Sequence, residues 1–210
     1  LLAFFTTSTA LTRAFKKRKT GVSEKFSKGG QRDAGQVLGN GGLATLFAGL
    51  HYFFPTEPWV WLAFAASLAA VNADTWATEL GVLARARPRL ITTFQPVAPG
   101  TSGAVSLQGT LAALGGAGLI GLIAALVDPV WWGAVAWIAL AGLAGSFFDS
   151  LLGATLQGIY WCPTCARQTE RLVHRCGSPT RLYRGSPLIS NDLVNLLATL
   201  AGALVGYLAV

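Results

Sequence analysis

Six apolar spans set the limits on what this chain can become: residues 1–15, 36–54, 58–83, 107–127, 129–155 and 188–210. Each complete span has about the 20 residues that a helix needs to cross a bilayer. With 52% hydrophobic and 12% charged residues, the balance is not that of a soluble domain. The expectation is an all-α, polytopic membrane bundle of about six transmembrane helices. The first span opens at Leu1, and the chain contains no Met. That span is therefore expected to be the truncated end of a helix. It does not read as a signal peptide, because no basic segment precedes it and no small-residue cleavage site closes it. Residues 1–210 read as one membrane domain. Residues 156–187 read as a cytoplasmic loop with a small zinc-binding insert.

The charges give the orientation. Of the 16 Lys and Arg, eight lie between Arg13 and Arg32, three are Arg85, Arg87 and Arg89, and five lie between Arg167 and Arg184. The connections at 55–58 and 128–129 have none. In an alternating topology the basic connections share one side, and the positive-inside rule puts that side in the cytoplasm. Trp59, Trp61, Trp131 and Trp132 then fall at the opposite face, as an aromatic belt would. The net charge of +7 thus reads as topology and contact with anionic lipid. It does not read as a nucleic-acid surface, since no base-reading motif is present.

This topology collects polar residues at one membrane face. Asp74 and Glu79 end the third span, and Asp149 and Ser150 end the fifth. Asn191, Asp192 and Asn195 open the sixth span, and Asn40 lies in the second. An acid costs about 2.5–3.5 kcal/mol at the centre of a membrane helix, so acids kept in these spans suggest use. Asn72, Thr75 and Glu79 share one helix face. Asp74 and Glu79 are about 140° apart on a straight helix, so they meet one site only between helices or at a distorted helix end. The structural alternative is acids that reach the interface or pair with loop arginines. Asp149 alternatively hydrogen-bonds across the bundle, and Asn191–Asp192 alternatively caps a helix. The functional reading is divalent-metal or proton chemistry. The all-oxygen donors suit Mg²⁺.

Gly100-Thr101-Ser102-Gly103 runs towards the fourth span, where a helix N-terminus attracts phosphate. Lys28, Arg32, Arg85, Arg87 and Arg89 are candidate phosphate partners. Cys162-Pro-Thr-Cys165, followed by His174-Arg-Cys176, offers three thiolates and an imidazole, a set suited to a structural Zn²⁺. Redox-active or plain cysteines are the alternative.

Taken in order, these motifs resemble a membrane-protein family of formerly unknown function that includes the plant phytyl-phosphate kinase. The resemblance rests on Lys28-Gly-Gly-Gln-Arg-Asp33 with Gln36-Val-Leu-Gly-Asn40-Gly-Gly42. It rests also on Ala73-Asp-Thr-Trp-Ala-Thr-Glu-Leu-Gly81, Gly100-Thr-Ser-Gly-Ala-Val-Ser106, Gly145-Ser-Phe-Phe-Asp149-Ser-Leu-Leu-Gly-Ala154 and Asn191-Asp-Leu-Val-Asn195. The family is more distantly similar to CTP-dependent dolichol and phytol kinases and to CDP-diacylglycerol synthases. The resemblance implies phosphoryl transfer from a nucleoside triphosphate, with CTP a candidate, to a prenyl monophosphate such as phytyl or geranylgeranyl phosphate. It places Asp74, Glu79, Asp149 and Asp192 in the metal and nucleotide site, with Mg²⁺ at Asp74, Asp149 and Asp192. Gly100 to Gly103 would form a phosphate loop, with Lys28, Arg32, Asn40, Ser150, Asn191 and Asn195 as further substrate contacts. The expected partners are the nucleotide, the lipid and the membrane. Homo-oligomerisation stays open. The Cys/His loop is not expected in the plant enzyme. Competing readings are a cation- or proton-coupled transporter, a scaffold with a zinc loop, and a cytidylyltransferase acting on a lipid phosphate.

Overall fold

A computed structural model describes residues 1–15, 34–84 and 86–209 of the chain. Six α-helices dominate it: α1 (Leu2–Phe15), α2 (Ala34–Phe53), α3 (Pro58–Gly81), α4 (Leu107–Val127), α5 (Val135–Thr155) and α6 (Asn191–Tyr207). Asp128 ends α4, and its carboxylate accepts the Val130 amide at 3.1 Å to start a 3₁₀ turn, Pro129–Ala134. The span expected from residue 129 therefore becomes α-helical only at Val135.

The centre of the bundle is α3, packed against α1, α2, α4, α5 and α6. Its sequence explains this place. Ala63, Ala65, Ala66, Ala69, Ala70 and Ala73 are all buried, and so small a surface lets neighbouring backbones approach. Glycines meet it from the other side. A Cβ added to Gly145 would stand 2.5 Å from Ala70 Cβ, one on Gly202 would stand 2.7 Å from the same atom, and one on Gly206 would stand 2.5 Å from Ala66 Cβ. Gly142 sits equally close to Ala69 and Ala117. Close packing of small residues holds the middle of the bundle, with Leu62, Leu68, Ile120 and Ile138 buried beside them.

The outer surface is apolar. Leu111, Leu122, Leu126, Leu140, Leu200 and Leu204 all point outwards, as lipid-facing side chains do. Among the described residues, two stretches, 107–127 and 129–155, are long and apolar enough to cross a membrane. The expected count of about six crossings is therefore not carried by length and hydropathy. At 14 and 17 residues, α1 and α6 are short for the task. Asn72, Asp74 and Glu79 dilute α3, and Gly and Asn dilute α2.

The expectation of an all-α chain needs correcting too. Two small sheets lie in the connections. One pairs β1 (Arg89–Leu90) with β2 (Ala104–Val105). The other has the order β4-β3-β5, from β3 (Ile159–Cys162), β4 (Arg167–Thr169) and β5 (Arg181–Arg184), all antiparallel. Both segments lack the sustained apolar run that makes a helix here, so backbone groups pair between strands instead.

Three close approaches tie the ends of the helices together on one side. Gly81 of α3 meets Gly109 of α4, Gly103 meets Ala154 of α5, and Gly39 of α2 meets the Asp192 carbonyl of α6. The aromatic residues gather at the other end, where Trp61 stacks near Trp131 at 6.0 Å and near His51 at 5.6 Å, and Trp59 meets Tyr207 at 5.9 Å.

Candidate functional site

The tied end holds two clefts. Asn40 of α2, Asp74 of α3, Asp149 of α5 and Asn195 of α6 line the first, with Ala70, Val71, Ala198 and Thr199. Helical spacing aims these side chains. Gly145, one turn before Asp149, seats on Ala70 and on the Ala198 carbonyl, which draws α5 close to α3 and α6. Among the described residues, Asp149 Oδ2 is buried with no hydrogen-bond partner. A buried carboxylate oxygen without a donor is costly unless a cation or ligand meets it.

Glu79 looks elsewhere. Its Oε1 accepts the Thr12 hydroxyl of α1 at 3.2 Å. Asn72 does the same about two turns earlier on that face. It is fully buried, accepts the Thr7 hydroxyl at 3.2 Å and donates to the Gly116 carbonyl at 2.7 Å. The stripe Asn72–Glu79 thus fastens α1 and α4 to α3, while Asp74 faces α2, α5 and α6. The angular separation read from the sequence holds in space.

Asp192 lies in the first turn of α6, where an acid complements the helix dipole. The helix cap is Ser190, whose hydroxyl accepts the Leu193 amide at 3.4 Å, and not the Asn191–Asp192 pair. Only a residue without Cβ fits at Gly39 against the Asp192 carbonyl, which brings Asn40 to the start of α6. Asn195 lines the cleft, whereas Asn191, Asp192 and Ser150 are not among its walls. Lys28, Arg32 and Arg85 lie outside the described residues. Arg89 donates to the Phe94 carbonyl at 2.8 Å, so it holds its own turn.

Gly100, Thr101 and Ser102 line a second cleft with Ile159, Gln168, Thr169, Glu170 and Arg184. Gly100 and Gly103 have φ of 73° and 81°, a region that favours glycine. The expected run from this loop into a helix N-terminus is interrupted. Strand β2 intervenes, and Ser106 caps α4 by accepting the Gly109 amide at 3.1 Å. The loop instead leans on the end of α5. The Ser102 hydroxyl donates to Gln157 Oε1 at 2.6 Å and Gln157 Nε2 donates to Glu170 Oε1 at 3.0 Å. Arg184 donates to the carbonyls of Gly153, Ala154 and Ser102 at 3.0, 2.7 and 3.2 Å.

Sequence reasoning missed Gln157, Glu170 and Arg184 as parts of this end of the molecule. In the sequence Arg184 is one of five arginines between residues 167 and 184, and nothing in its spacing sets it apart. For Glu170 a signal was present: it is the sole acid between residues 156 and 187.

Cys162, Cys165, His174 and Cys176 do come together, with their ligand atoms within 4.8 Å of one another. Hydrogen bonding to Cys176 pushes the Cys165 thiol up to about 11. The Ser178 backbone and then His174 hold Cys176 down at about 6.

Residues 1–203 match the family described as integral membrane protein DUF92. The chain belongs to this family. The family resemblance drawn from the motifs is thereby borne out. Relatives of the DUF92 chain include Protein PGR of Arabidopsis thaliana, 35% identical over 95% of this chain and 76% of that one. An uncharacterized membrane protein of Methanocaldococcus jannaschii is 32% identical over 99% of this chain and 74% of its own. Protein VTE6, chloroplastic, of Arabidopsis thaliana is 26% identical over 98% of this chain, which spans 56% of the VTE6 length. No solved structure matches. Membership settles the setting as a membrane and leaves the activity to the site.

Proposed function

We propose that this DUF92 chain is a prenyl-phosphate kinase. In this reading it transfers the terminal phosphoryl group of a nucleoside triphosphate, with CTP a candidate, to a prenyl monophosphate such as phytyl or geranylgeranyl phosphate. The observation that carries the reading is the first cleft. Two carboxylates from different helices, Asp74 and Asp149, share it with two amides, and one carboxylate oxygen is buried without a donor. The family's motif likeness to the plant phytyl-phosphate kinase supports the same class of reaction.

The donors in the cleft are all oxygen or amide, which fits Mg²⁺. Asp74 and Asp149 would hold it, with Asp192 nearby at the start of α6. When bound, such an ion neutralises charge on transferring phosphates. The protein's own part is placement. The Asn40 and Asn195 amides can donate to phosphate oxygens. Glu79 keeps α1 against α3. Gly100–Ser102 offers a neighbouring polar wall, and Lys28, Arg32, Ser150 and Asn191 remain further substrate contacts in the proposal. The prenyl tail would lie along the apolar outer surface among the helices.

The acceptor phosphate is already anionic at neutral pH. One of its oxygens forms the new P–O bond to the terminal phosphorus. The bond to the bridging oxygen breaks, and its electron pair leaves on the nucleoside diphosphate. No general base is required. This suits a chain whose two histidines, His51 and His174, stand at the aromatic end and in the Cys/His cluster. The distribution of Lys and Arg supports a cytoplasmic-facing position for the clefts.

Purified protein in detergent, given Mg²⁺, labelled CTP or ATP and geranylgeranyl or phytyl phosphate, should form the labelled prenyl diphosphate. Release of pyrophosphate with transfer of the nucleotidyl group would mark a cytidylyltransferase instead. Absence of any transfer from a folded sample would remove the kinase reading.

A further inference from the structure

The stretch from residue 156 to 187 has almost no apolar core. Among its side chains only Ile159 and Cys162 are buried apolar groups, while Leu172, Val173, Leu182 and Tyr183 are exposed. A unit of about 30 residues rarely holds its shape without a metal or disulfides. The polar ligands occupy the place of that core. Cys162 ends β3 and Cys165 follows in the tight turn before β4, where Ala166 takes φ of 50°. His174 and Cys176 come from a second turn, closed by the Gly177 amide on the His174 carbonyl at 2.9 Å, with Gly177 at φ of 84°. Cys162 Sγ and Cys176 Sγ are 3.7 Å apart, and His174 Nδ1 is 3.1 Å from Cys176 Sγ. Thiolates at about 2.3 Å on a tetrahedral Zn²⁺ lie about 3.8 Å from each other. The sulfur spacing matches that edge and is far from a disulfide bond of about 2.05 Å.

We propose that Cys162, Cys165, His174 and Cys176 bind one structural Zn²⁺, and that this ion clamps the insert onto the helix ends so that Glu170 and Arg184 wall the second cleft. The route is short. Cys162 and Arg167 are paired across β3 and β4, and Glu170 follows β4 directly. Glu170 meets Gln157, and Gln157 meets Ser102 of the glycine loop. On the other edge β5 pairs with β3 and ends at Arg184, which bonds the Ser102 carbonyl and the last carbonyls of α5. Four fixed ligands saturate the ion, so its work is to hold shape. This assignment stands independently of the kinase reading, because metal content is measured without turnover.

The experiment has two readouts on the full chain purified in detergent. Elemental analysis should give one zinc per chain. Cobalt exchanged into the site should show the visible bands of a tetrahedral thiolate complex. C162S together with C176S should lose both, while R167A, outside the ligand set, keeps them. Hydrogen exchange should then rise at residues 100–103 and 168–171 when zinc is chelated, with the membrane helices unchanged. A folded protein without zinc, or one that retains it in the double variant, overturns the site. Zinc present with unchanged exchange at residues 100–103 overturns the clamp.

Discussion

Asp149 and Glu79 are both acids in apolar helices, and their surroundings separate them. Asp149 lines the first cleft with Asp74, while Glu79 is outside its walls and is engaged by Thr12 on α1. Substitution should separate them as well. Asp149→Asn and Asp74→Asn should each lower prenyl-phosphate kinase turnover by about 100-fold or more, as for lost groups that stabilise developing charge. Their thermal unfolding should stay near that of the parent. Glu79→Gln should keep most of the turnover and show its effect in stability, since its role is to fasten a helix. Steady-state rates and melting curves on the same preparations check all three. Similar turnover losses at Asp149 and Glu79 would erase this distinction. Sequence spacing already separated Asp74 from Glu79 by angle. It could not say which of them faced the cleft, because that depends on where α1, α5 and α6 dock.

Among the helices, glycine positions divide into those that carry contacts and those that do not. Gly145 and Gly202 press on Ala70, whereas Gly118 has nothing within 4 Å of an added Cβ. Gly145→Val and Gly202→Val should each destabilise by about 1–3 kcal/mol through overpacking. Gly118→Ala should be neutral or gain up to about 1 kcal/mol from helix propensity. Thermal or denaturant unfolding in one detergent measures the series. A connecting element gives a second case. Arg184 satisfies three carbonyls from α5 and the glycine loop. Arg184→Ala should therefore cost about 1–3 kcal/mol, and Lys should not replace the planar fork. The helices were legible as apolar spans because burial and lipid both select the same residues. The strands were not. Two to four residues carry too little periodicity to declare a sheet, and the turns that join β3 to β5 carry Cys165, His174 and Cys176 rather than a sustained apolar run.

Over the whole molecule, the two ends differ in chemistry. One gathers both clefts and the Cys/His cluster, and the other gathers Trp61, Trp131 and Trp59. The Lys and Arg pattern predicts this division, because side-of-membrane bias is written in the connections. What it could not reveal is that the polar clusters form two clefts rather than one. Their division depends on how the 156–187 insert folds back over α5. Orientation is open to direct measurement. Added one at a time to the parent chain, Thr56→Cys should create labelling by an impermeant thiol reagent in intact cells, and Arg87→Cys should add labelling only after permeabilisation. The reverse pattern would put the clefts outside.

The most direct test of the central claim compares the parent chain with Asp149→Asn in one assay. Each is supplied with Mg²⁺, nucleoside triphosphate labelled on its terminal phosphate, and geranylgeranyl monophosphate. The account predicts labelled geranylgeranyl diphosphate from the parent and essentially none from the folded variant. No label in lipid from a folded parent, or equal label from both proteins, would contradict it.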